Sequence, residues 1–299
     1  MPREDFGFLN IDKPPGLTSH DVVVRIRRKT GLKRVGHAGT LDPLARGVLV
    51  VCLGGATRLS EYVMASTKRY RAVIQLGAVT STYDAEGEII RQTDPSSVSR
   101  DQVAACLTTF IGSIDQVPPM YSAVKRGGHK LYELARQGVT LELEGRSVRI
   151  DALELTDWNP PHFTLDVVCS AGTYIRSLAY DIGEALGVGA HLAALTRTAS
   201  GVFNLTDSVT LDSFMESPTW ESHLIDPMKA LSGWPMLYLQ AADCLALQQG
   251  RPVVTTEQMV DAVLCLGIAP DGNLIAVLKR KDGQWWPHKV FLTGSEQGT

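Results

Sequence analysis

The chain has 299 residues, a hydrophobic fraction of 44%, a charged fraction of 20% and a formal net charge of −3 at pH 7. These values are ordinary for a globular protein, and the length allows one large domain with a small one. The sequence also excludes a membrane-spanning helix, because no apolar run approaches the roughly 18 to 20 residues that such a helix requires. The N-terminus, MPREDFGFLNIDK, also lacks the apolar core of a secretory signal, so we expect a cytoplasmic protein.

Cofactor and metal motifs are not found in the sequence. The five cysteines are scattered, none forms a CxxC pair, and most sit in apolar runs as small core residues would. The histidines have no HExxH or similar ligand spacing, so we predict no structural metal. Neither GxGxxG nor GxxxxGK[ST] occurs, and nothing indicates a dinucleotide or a P-loop nucleotide.

The N-terminal half alternates short apolar runs with turn signals. The pattern predicts strands at 8–11, 48–53 and 70–76, and helices at 19–30, 59–65 and 98–111. Ser19 is the expected N-cap of the first helix, and Gly31 is its expected C′ residue. In the strand that begins at Tyr70, alternate positions as far as Leu76 share one face.

The rest of the chain divides into two parts at about residue 217. Before it, the pattern predicts a polar loop at 77–87, strands at 148–155 and 163–169, and a helix that starts after Ser170–Thr173. Beyond it, a short helix capped by Asp243 and ending at Gly250 precedes strands at 260–268, 274–280 and 285–291, separated by Asp-Gly turns. Because strands and helices do not alternate in a regular βαβ order, the pattern predicts an α+β fold with a mixed, largely antiparallel sheet and a small β-rich C-terminal domain.

The segment GHAGTLDPLARGVL, residues 36–49, places three glycines and a proline around one carboxylate, Asp42. Asp followed by Pro is a good helix start, so Asp42 is interpreted first as an N-cap with a helical turn from Leu44. The glycines favour a second interpretation, in which the backbone approaches a ligand and presents Asp42 to it. His37 lies in the same loop as a second polar group.

Three other features also have both a structural and a functional interpretation. Arg176 stands in the first turn of a helix, where its charge opposes the helix dipole, so it is either exposed or paired with a distant carboxylate. Tyr70 is either a core residue or a stacking surface for a base. The run RIRRKTGLKR, residues 25–34, holds six basic residues and is either a solvated helix end or a contact for phosphates.

Five blocks in fixed order identify a family resemblance: FLNIDKPPGLTSHDVV, GHAGTLDPLARGVLVVCLGGATRL, KRYRAVIQLG, VPPMYSAVKRGGHKLYELARQG and CSAGTYIRSLAYDIGEAL. Together they resemble the bacterial TruB family of tRNA pseudouridine synthases, densely from residue 8 to about 203. The resemblance implies isomerisation of uridine 55 in the tRNA T-loop, without metal or organic cofactor, in a cleft of a mixed sheet. It also implies a catalytic domain at 1–228 with an RNA-binding thumb at about 117–149, and a PUA-like domain at 229–299 that touches the acceptor end.

The resemblance implies roles for individual residues. Asp42 matches the catalytic aspartate, Tyr70 the tyrosine that stacks on the target base, and Arg176 the arginine that pairs with the aspartate. Asp84 resembles a second carboxylate of that network. The positions that match substrate contacts are His37, Tyr174 and Leu195.

Two other functions stay open at this point. A tRNA-binding or tRNA-folding protein that keeps the fold without turnover would resemble the family equally in its scaffold. A synthase acting on another RNA site is the third possibility, although the insert resembles the one that recognises tRNA. We expect a monomer whose partner is tRNA, with no membrane association.

Overall fold

Eighteen strands and seven α-helices lie in the part of the chain that the computed structural model describes, residues 6–119, 121, 125–126, 129–130, 143–254 and 262–291. The strands are β1 (Gly7–Lys13), β2 (Val35–His37), β3 (Arg46–Leu53), β4 (Lys68–Leu76), β5 (Ala78–Thr80), β6 (Ile89–Gln92), β7 (Gly112–Gln116), β8 (Lys125–Arg126), β9 (His129–Lys130), β10 (Arg146–Asn159), β11 (His162–Cys169), β12 (Ala190–Ser200), β13 (Phe203–Asn204), β14 (Val209–Thr210), β15 (Met236–Tyr238), β16 (Leu264–Ile268), β17 (Leu274–Lys281) and β18 (Gln284–Val290). The α-helices are α1 (Ser19–Thr30), α2 (Ser60–Met64), α3 (Arg100–Leu107), α4 (Ile175–Ala185), α5 (Leu211–Glu216), α6 (Pro227–Ala230) and α7 (Ala241–Gln248).

Ten strands form one sheet in the order β14–β1–β3–β12–β4–β11–β10–β7, with β2 beside β3 and β13 beside β12. Only two of its pairings, β1 with β14 and β3 with β12, are parallel among the strands described. The predicted α+β class with a mixed, largely antiparallel sheet is therefore confirmed.

Three N-terminal helices differ slightly from the predicted ones because local side-chain bonds decide where a helix starts. Thr18, not Ser19, caps α1: its hydroxyl accepts the Asp21 N–H at 3.0 Å and the Asp21 carboxylate accepts the Thr18 N–H at 2.9 Å. Ser99 caps α3 in the same way, so that helix begins at Arg100. The helix predicted at 59–65 is α2, Ser60–Met64, and a 3-10 turn at Gly54–Leu59 precedes it.

The strand β12 is the main element that the sequence pattern missed. It lies between β3 and β4 at the centre of the sheet and is bonded to both. Its polar residues hide its alternation, because Arg197 and Ser200 are buried with the apolar positions. A two-residue spacing is present at Leu195, Arg197 and Ala199, all buried.

The C-terminal strands form a separate sheet in the order β15–β16–β17–β18. Asp282 and Gly283 both have positive φ, 51° and 74°, and join β17 to β18 in the two-residue turn that Asp-Gly predicts. The helix α7 starts after Gln240 rather than at Asp243, whose carboxylate accepts the Gln240 N–H at 2.9 Å. The strand predicted from residue 260 begins at Leu264 in the described chain.

One apolar cluster joins the two sheets. Phe8, Val48 and Val50 of the main sheet share it with Leu266 and Val277 of the C-terminal sheet. On the opposite face of the main sheet, a larger core packs helices α1 and α4 against the strands. The domain boundary at 228/229 stays a prediction, and most of the predicted thumb lies outside the described residues.

Candidate active site

The candidate site is built on the loop that connects β2 to β3. The Ala45 N–H donates to the Asp42 carbonyl at 3.1 Å, and β3 begins at Arg46 without an intervening helix. The first interpretation of Asp42 as a helix cap is therefore wrong. Leu44 belongs to a turn, and the chain enters β3 at Arg46, because pairing of β3 with β1 and β12 outweighs the local Asp-Pro signal.

Asp42 lies at a cavity of about 530 Å³, within the size range of ligand sites. Four parts of the chain line it: the β2–β3 loop, the segment from α2 into β4, the segment that leads into α4, and the strand β12. Five of the seven predicted site residues are in this lining, namely Asp42, Tyr70, Tyr174, Arg176 and Leu195.

Arg176 reaches Asp42 from the first turn of α4. Its Nε lies 3.0 Å from Asp42 Oδ2, and only 5% of its side chain is exposed. The Nε–H does not point along that line, so the contact is an ion pair rather than an aligned hydrogen bond. Nη1 donates to the Thr82 carbonyl at 3.2 Å and Nη2 to the Tyr121 carbonyl at 2.9 Å. The position of Arg176 in the first turn of α4, where its charge opposes the helix dipole, is therefore explained by its pairing with the distant Asp42.

Asp84 pairs with a different nitrogen of the same guanidinium. Its Oδ2 is 3.4 Å from Arg176 Nη1, and its side chain is only 4% exposed. Its Oδ1 accepts the Thr82 hydroxyl at 2.5 Å and the Glu86 N–H at 3.1 Å. Asp84 is not among the residues that line the cavity. Asp84 therefore pairs with Arg176 outside the cavity lining, and Asp42 is the carboxylate of the two that lines the cavity.

The pKa of the Asp42 carboxyl is raised above its ordinary value. The main cause is desolvation by the surrounding walls, although 37% of the side chain is open to the cavity. Arg176 opposes the shift by stabilising the ionised form, and the nearby Asp84 adds to it. The ion pair therefore limits a shift that would otherwise favour the protonated carboxyl.

Tyr70 and Leu195 are brought to the cavity by strand register. In the β4–β12 pairing, Tyr70 lies opposite Arg197 and Leu195 opposite Ala72. Tyr70 is 9% exposed, and burial raises the pKa of its phenol while Arg197 acts in the opposite direction. It is a core residue with one edge on the cavity, so both interpretations of Tyr70 fit its position.

Tyr174 is held through its backbone by a residue from another strand. The buried Gln116, at the end of β7, accepts the Tyr174 N–H at 2.7 Å and donates to its carbonyl at 3.0 Å. This pair of bonds fixes the residue that immediately precedes α4. Because Arg176 follows two residues later, Gln116 also helps to aim the guanidinium.

His37 is not brought to the cavity. It lies on β2 opposite Val51, and it is not part of the lining. Burial lowers the pKa of its imidazole, and its Nδ1 has no hydrogen-bond partner among the residues described. The predicted substrate contact of His37 stays a prediction.

Three buried cations, Lys13, Lys68 and Arg197, were not singled out from the sequence. Lys13 donates to the carbonyls of Pro14 at 2.9 Å and Leu17 at 2.7 Å, and burial lowers its pKa to about 8. Arg197 donates to three carbonyls of the segment that carries Asp42. A basic residue at an inward position of a period-two pattern is a usable signal for Arg197.

The basic run at 25–34 is a helix end in the structure. Gly31 has φ of 70° and donates to the Arg27 carbonyl at 3.0 Å, and Arg27 itself donates to the Val35 carbonyl. The predicted C′ role of Gly31 is confirmed. Contact of this run with phosphates stays a prediction.

The residues that the structure describes contain no group of three or more His, Cys, Asp or Glu side chains arranged to hold a metal ion. They also contain no helix with the length and apolar character that a bilayer crossing requires.

Comparison with known proteins gives consistent matches along the chain. The family model for TruB family pseudouridylate synthase, N-terminal domain, matches residues 27–175, and that for the tRNA pseudouridylate synthase B C-terminal domain matches 176–232. The tRNA pseudouridine synthase B of Heliobacterium modesticaldum is 44% identical over 297 residues and covers 97% of each chain. That of Symbiobacterium thermophilum is 52% identical over 232 residues and covers 77% of each.

Solved structures match the fold as well. The structure of a Cbf5-Nop10-Gar1 complex superposes with a TM-score of 0.75 at 28% identity, covering 97% of this chain and 86% of that one. An H/ACA RNP bound to a substrate RNA that contains 2′-deoxyuridine gives 0.72 at 26% identity, covering 96% and 86%. With near full-length relatives above 40% identity and two consecutive family domains, this chain belongs to the TruB family of pseudouridine synthases.

Proposed function

We propose that this protein isomerises uridine to pseudouridine in tRNA, and that its target is uridine 55 of the T-loop. The observation that carries the proposal is the cavity in which Asp42 is paired with Arg176 beside Tyr70. The relatives named tRNA pseudouridine synthase B support tRNA as the substrate. The position of the target uridine rests on the family resemblance.

The reaction breaks the ribose C1′–N1 bond and makes a C1′–C5 bond after the base has turned. Asp42 serves as the nucleophile at C1′ or as the stabiliser of a cationic sugar. The C5 hydrogen leaves to water and N1 gains a proton, so the atoms balance without a co-substrate. For that reason we expect no cofactor.

The cavity lining holds Asp42 and one other acid among the described residues, Glu61, which is ion-paired with Lys289. An ordinary glycosidase places two carboxyl groups on either side of the bond, one of which protonates the leaving group. Here the carboxylate that shares Arg176 with Asp42, Asp84, is not part of the cavity lining. The uracil is held in place and is recaptured at C5 rather than released.

Tyr70, Tyr174 and Leu195 are proposed to hold the target nucleotide. The uridine must leave the stack of the T-loop, which costs a few kcal/mol, and stacking on an aromatic ring offsets part of that cost. Tyr70 is fixed in β4 and so presents its ring with little loss of side-chain freedom. Leu195 supplies an apolar wall from the adjacent strand.

The two-part organisation fits an RNA partner larger than one nucleotide. We propose a catalytic domain at 1–228 with a thumb at about 117–149, and a PUA-like domain at 229–299 that contacts the acceptor end. The separate four-stranded sheet supports the second domain. We further propose that the protein acts as a monomer.

The test uses an unmodified tRNA transcript that carries tritium at C5 of its uridines. Wild-type protein and Asp42→Asn are each mixed with it, and tritium release to water is followed. Release of about one equivalent per tRNA by the wild type, with none from the variant and tRNA affinity within several-fold, is the expected result. Sequencing of the product then locates the pseudouridine.

Three outcomes would contradict parts of the proposal. Substantial release by Asp42→Asn would remove the assigned role of that carboxylate. No release by the wild type, with tRNA binding intact, would indicate a tRNA-binding or tRNA-folding protein without turnover. Release that maps to another uridine, or only from another RNA, would indicate a different target site.

A further inference from the structure

Arg197 is the largest of the fully buried side chains described, with 1% of its surface exposed. It lies at an inward position of β12, opposite Tyr70 of β4, and it lines the cavity. The mechanism above gives it no part. A guanidinium is costly to bury, so the groups that surround it must offset a large loss of hydration.

The three hydrogen bonds that Arg197 donates to backbone carbonyls all go to one segment of the chain. Nη2 donates to the Gly39 carbonyl at 3.0 Å and Nη1 to the Thr40 carbonyl at 3.2 Å, just before Asp42. Nε donates to the Val48 carbonyl at 2.7 Å, after Asp42. The guanidinium therefore ties together both ends of the segment 39–48 that presents the carboxylate.

The two arginines at the cavity differ in what they bind. Arg176 is paired with two carboxylates, Asp42 and Asp84. Arg197 forms no ion pair with any carboxylate among the described residues, and its acceptors are backbone carbonyls. It therefore contributes geometry to the loop, and its charge is not cancelled by a neighbouring acid.

The backbone of Arg197 is equally close to this segment. In the parallel pairing of β12 with β3, Arg197 lies opposite Gly47. A Cβ added at Gly47 would lie 2.3 Å from the Arg197 carbonyl oxygen, so only glycine allows this approach. Main chain and side chain of one residue thus hold the loop from the strand that also carries Leu195.

We propose that Arg197 is a positioning residue, which clamps the segment 39–48 and so sets the place of Asp42 relative to Tyr70 and Arg176. The proposal rests on the proposed function. It separates two tasks at the cavity: Arg176 acts on the charge of Asp42, while Arg197 acts on the position of its backbone. A planar fork with three separate acceptors cannot be reproduced by an ammonium group.

The test compares Arg197→Lys and Arg197→Gln with Arg71→Lys as the matched control. Arg71 is the neighbour of Tyr70 on β4, and its exposed guanidinium pairs with Asp166 at 2.8 Å. Each variant is assayed for single-turnover tritium release, for tRNA affinity, and for hydrogen exchange of the peptide that spans 38–45. Rates are measured across pH as well.

We expect both Arg197 variants to fold and to lose about 100-fold in single-turnover rate, as a misplaced reacting group does. Their tRNA affinity should stay within several-fold. Hydrogen exchange in 38–45 should speed up at least ten-fold, which corresponds to a loss of about 1.4 kcal/mol in the free energy of local opening. The acid limb of the pH profile should stay in place, because Arg197 moves Asp42 rather than pairing with it. Arg71→Lys should match the wild type in every measurement.

Unchanged rate or unchanged exchange in both Arg197 variants would overturn the proposal. Loss of folding in both would overturn it too, because Arg197 would then support the whole core and not one loop. A shift of the acid limb equal to that of an Arg176 variant would show a direct charge role instead. If the wild type itself does not isomerise tRNA, the proposed function fails, while the exchange measurement still decides whether Arg197 clamps the loop.

Discussion

Arg176 Nε lies 3.0 Å from Asp42 Oδ2, and Nη1 of the same guanidinium lies 3.4 Å from Asp84 Oδ2. The two ends of this contact are 134 residues apart in the chain. One buried cation shared by two carboxylates keeps both acids from repelling each other and aims the one that faces the cavity. The predictions below follow from this arrangement and from the packing that holds it.

Arg176→Lys is expected to lower the rate of isomerisation by about 100-fold, the size of effect seen when a positioned charged donor is lost. A lysine ammonium cannot reach both carboxylates and the carbonyls of Thr82 and Tyr121 together. Single-turnover tritium release measures this effect, and tRNA affinity serves as the control. Near-normal activity in this variant would remove the ion pair from the mechanism.

Asp84→Asn is expected to lower the rate by about ten-fold, or about 1.4 kcal/mol in the barrier, which is less than the loss at Asp42. The amide keeps the shape and the bonds to Thr82 and Glu86, but it no longer offsets the charge of Arg176. Asp166→Asn is the matched control, because Asp166 pairs with an arginine at an exposed site. Equal losses in the two variants would contradict the role of Asp84.

The pH dependence should be set on its acid side by Asp42. The ionised carboxylate is the active form, so activity is present above its pKa and is lost as the pH falls through it. Burial raises that pKa, and the acid limb should therefore lie above the ordinary carboxyl value. Arg176→Met removes the cation that opposes the shift, so its limb should move to higher pH. A limb that moves to lower pH in this variant would contradict the assignment.

Gly47→Ala should destabilise the protein by about 3–5 kcal/mol, because the alanine would be strained at a positive φ and its Cβ would also overpack the site. Its φ is +102°, and a new Cβ would lie 2.3 Å from the Arg197 carbonyl oxygen. Gly16→Ala is the control: its φ is +82° with no atom within 4 Å of the new Cβ, so it should cost only about 1–2 kcal/mol. Urea unfolding of both variants measures the difference. Equal costs would show that the close approach of β3 to β12 is not tight.

Local patterns in the sequence determined most of the elements and the choice of site residues. The alternation from Tyr70 to Leu76 and the periodicity of α1 reflect one-sided burial, which acts within a single segment. Arg176 was conspicuous because its charge opposes the helix dipole, a conflict visible without any fold. The ordered motif blocks indicated the family, and Asp42 among its residues.

Only the tertiary structure decided whether Asp42 caps a helix or faces a cavity. The local signal favoured a cap, and strand pairing of β3 with β1 and β12 overruled it, since those hydrogen bonds come from distant residues. The same reason explains why the sequence pattern does not show β12 and why His37, on β2, is not part of the cavity lining. Arg197 acts across more than 140 residues of sequence on three carbonyls. No local sequence pattern predicts such contacts, because the partners come together only when the strands have paired in the folded sheet.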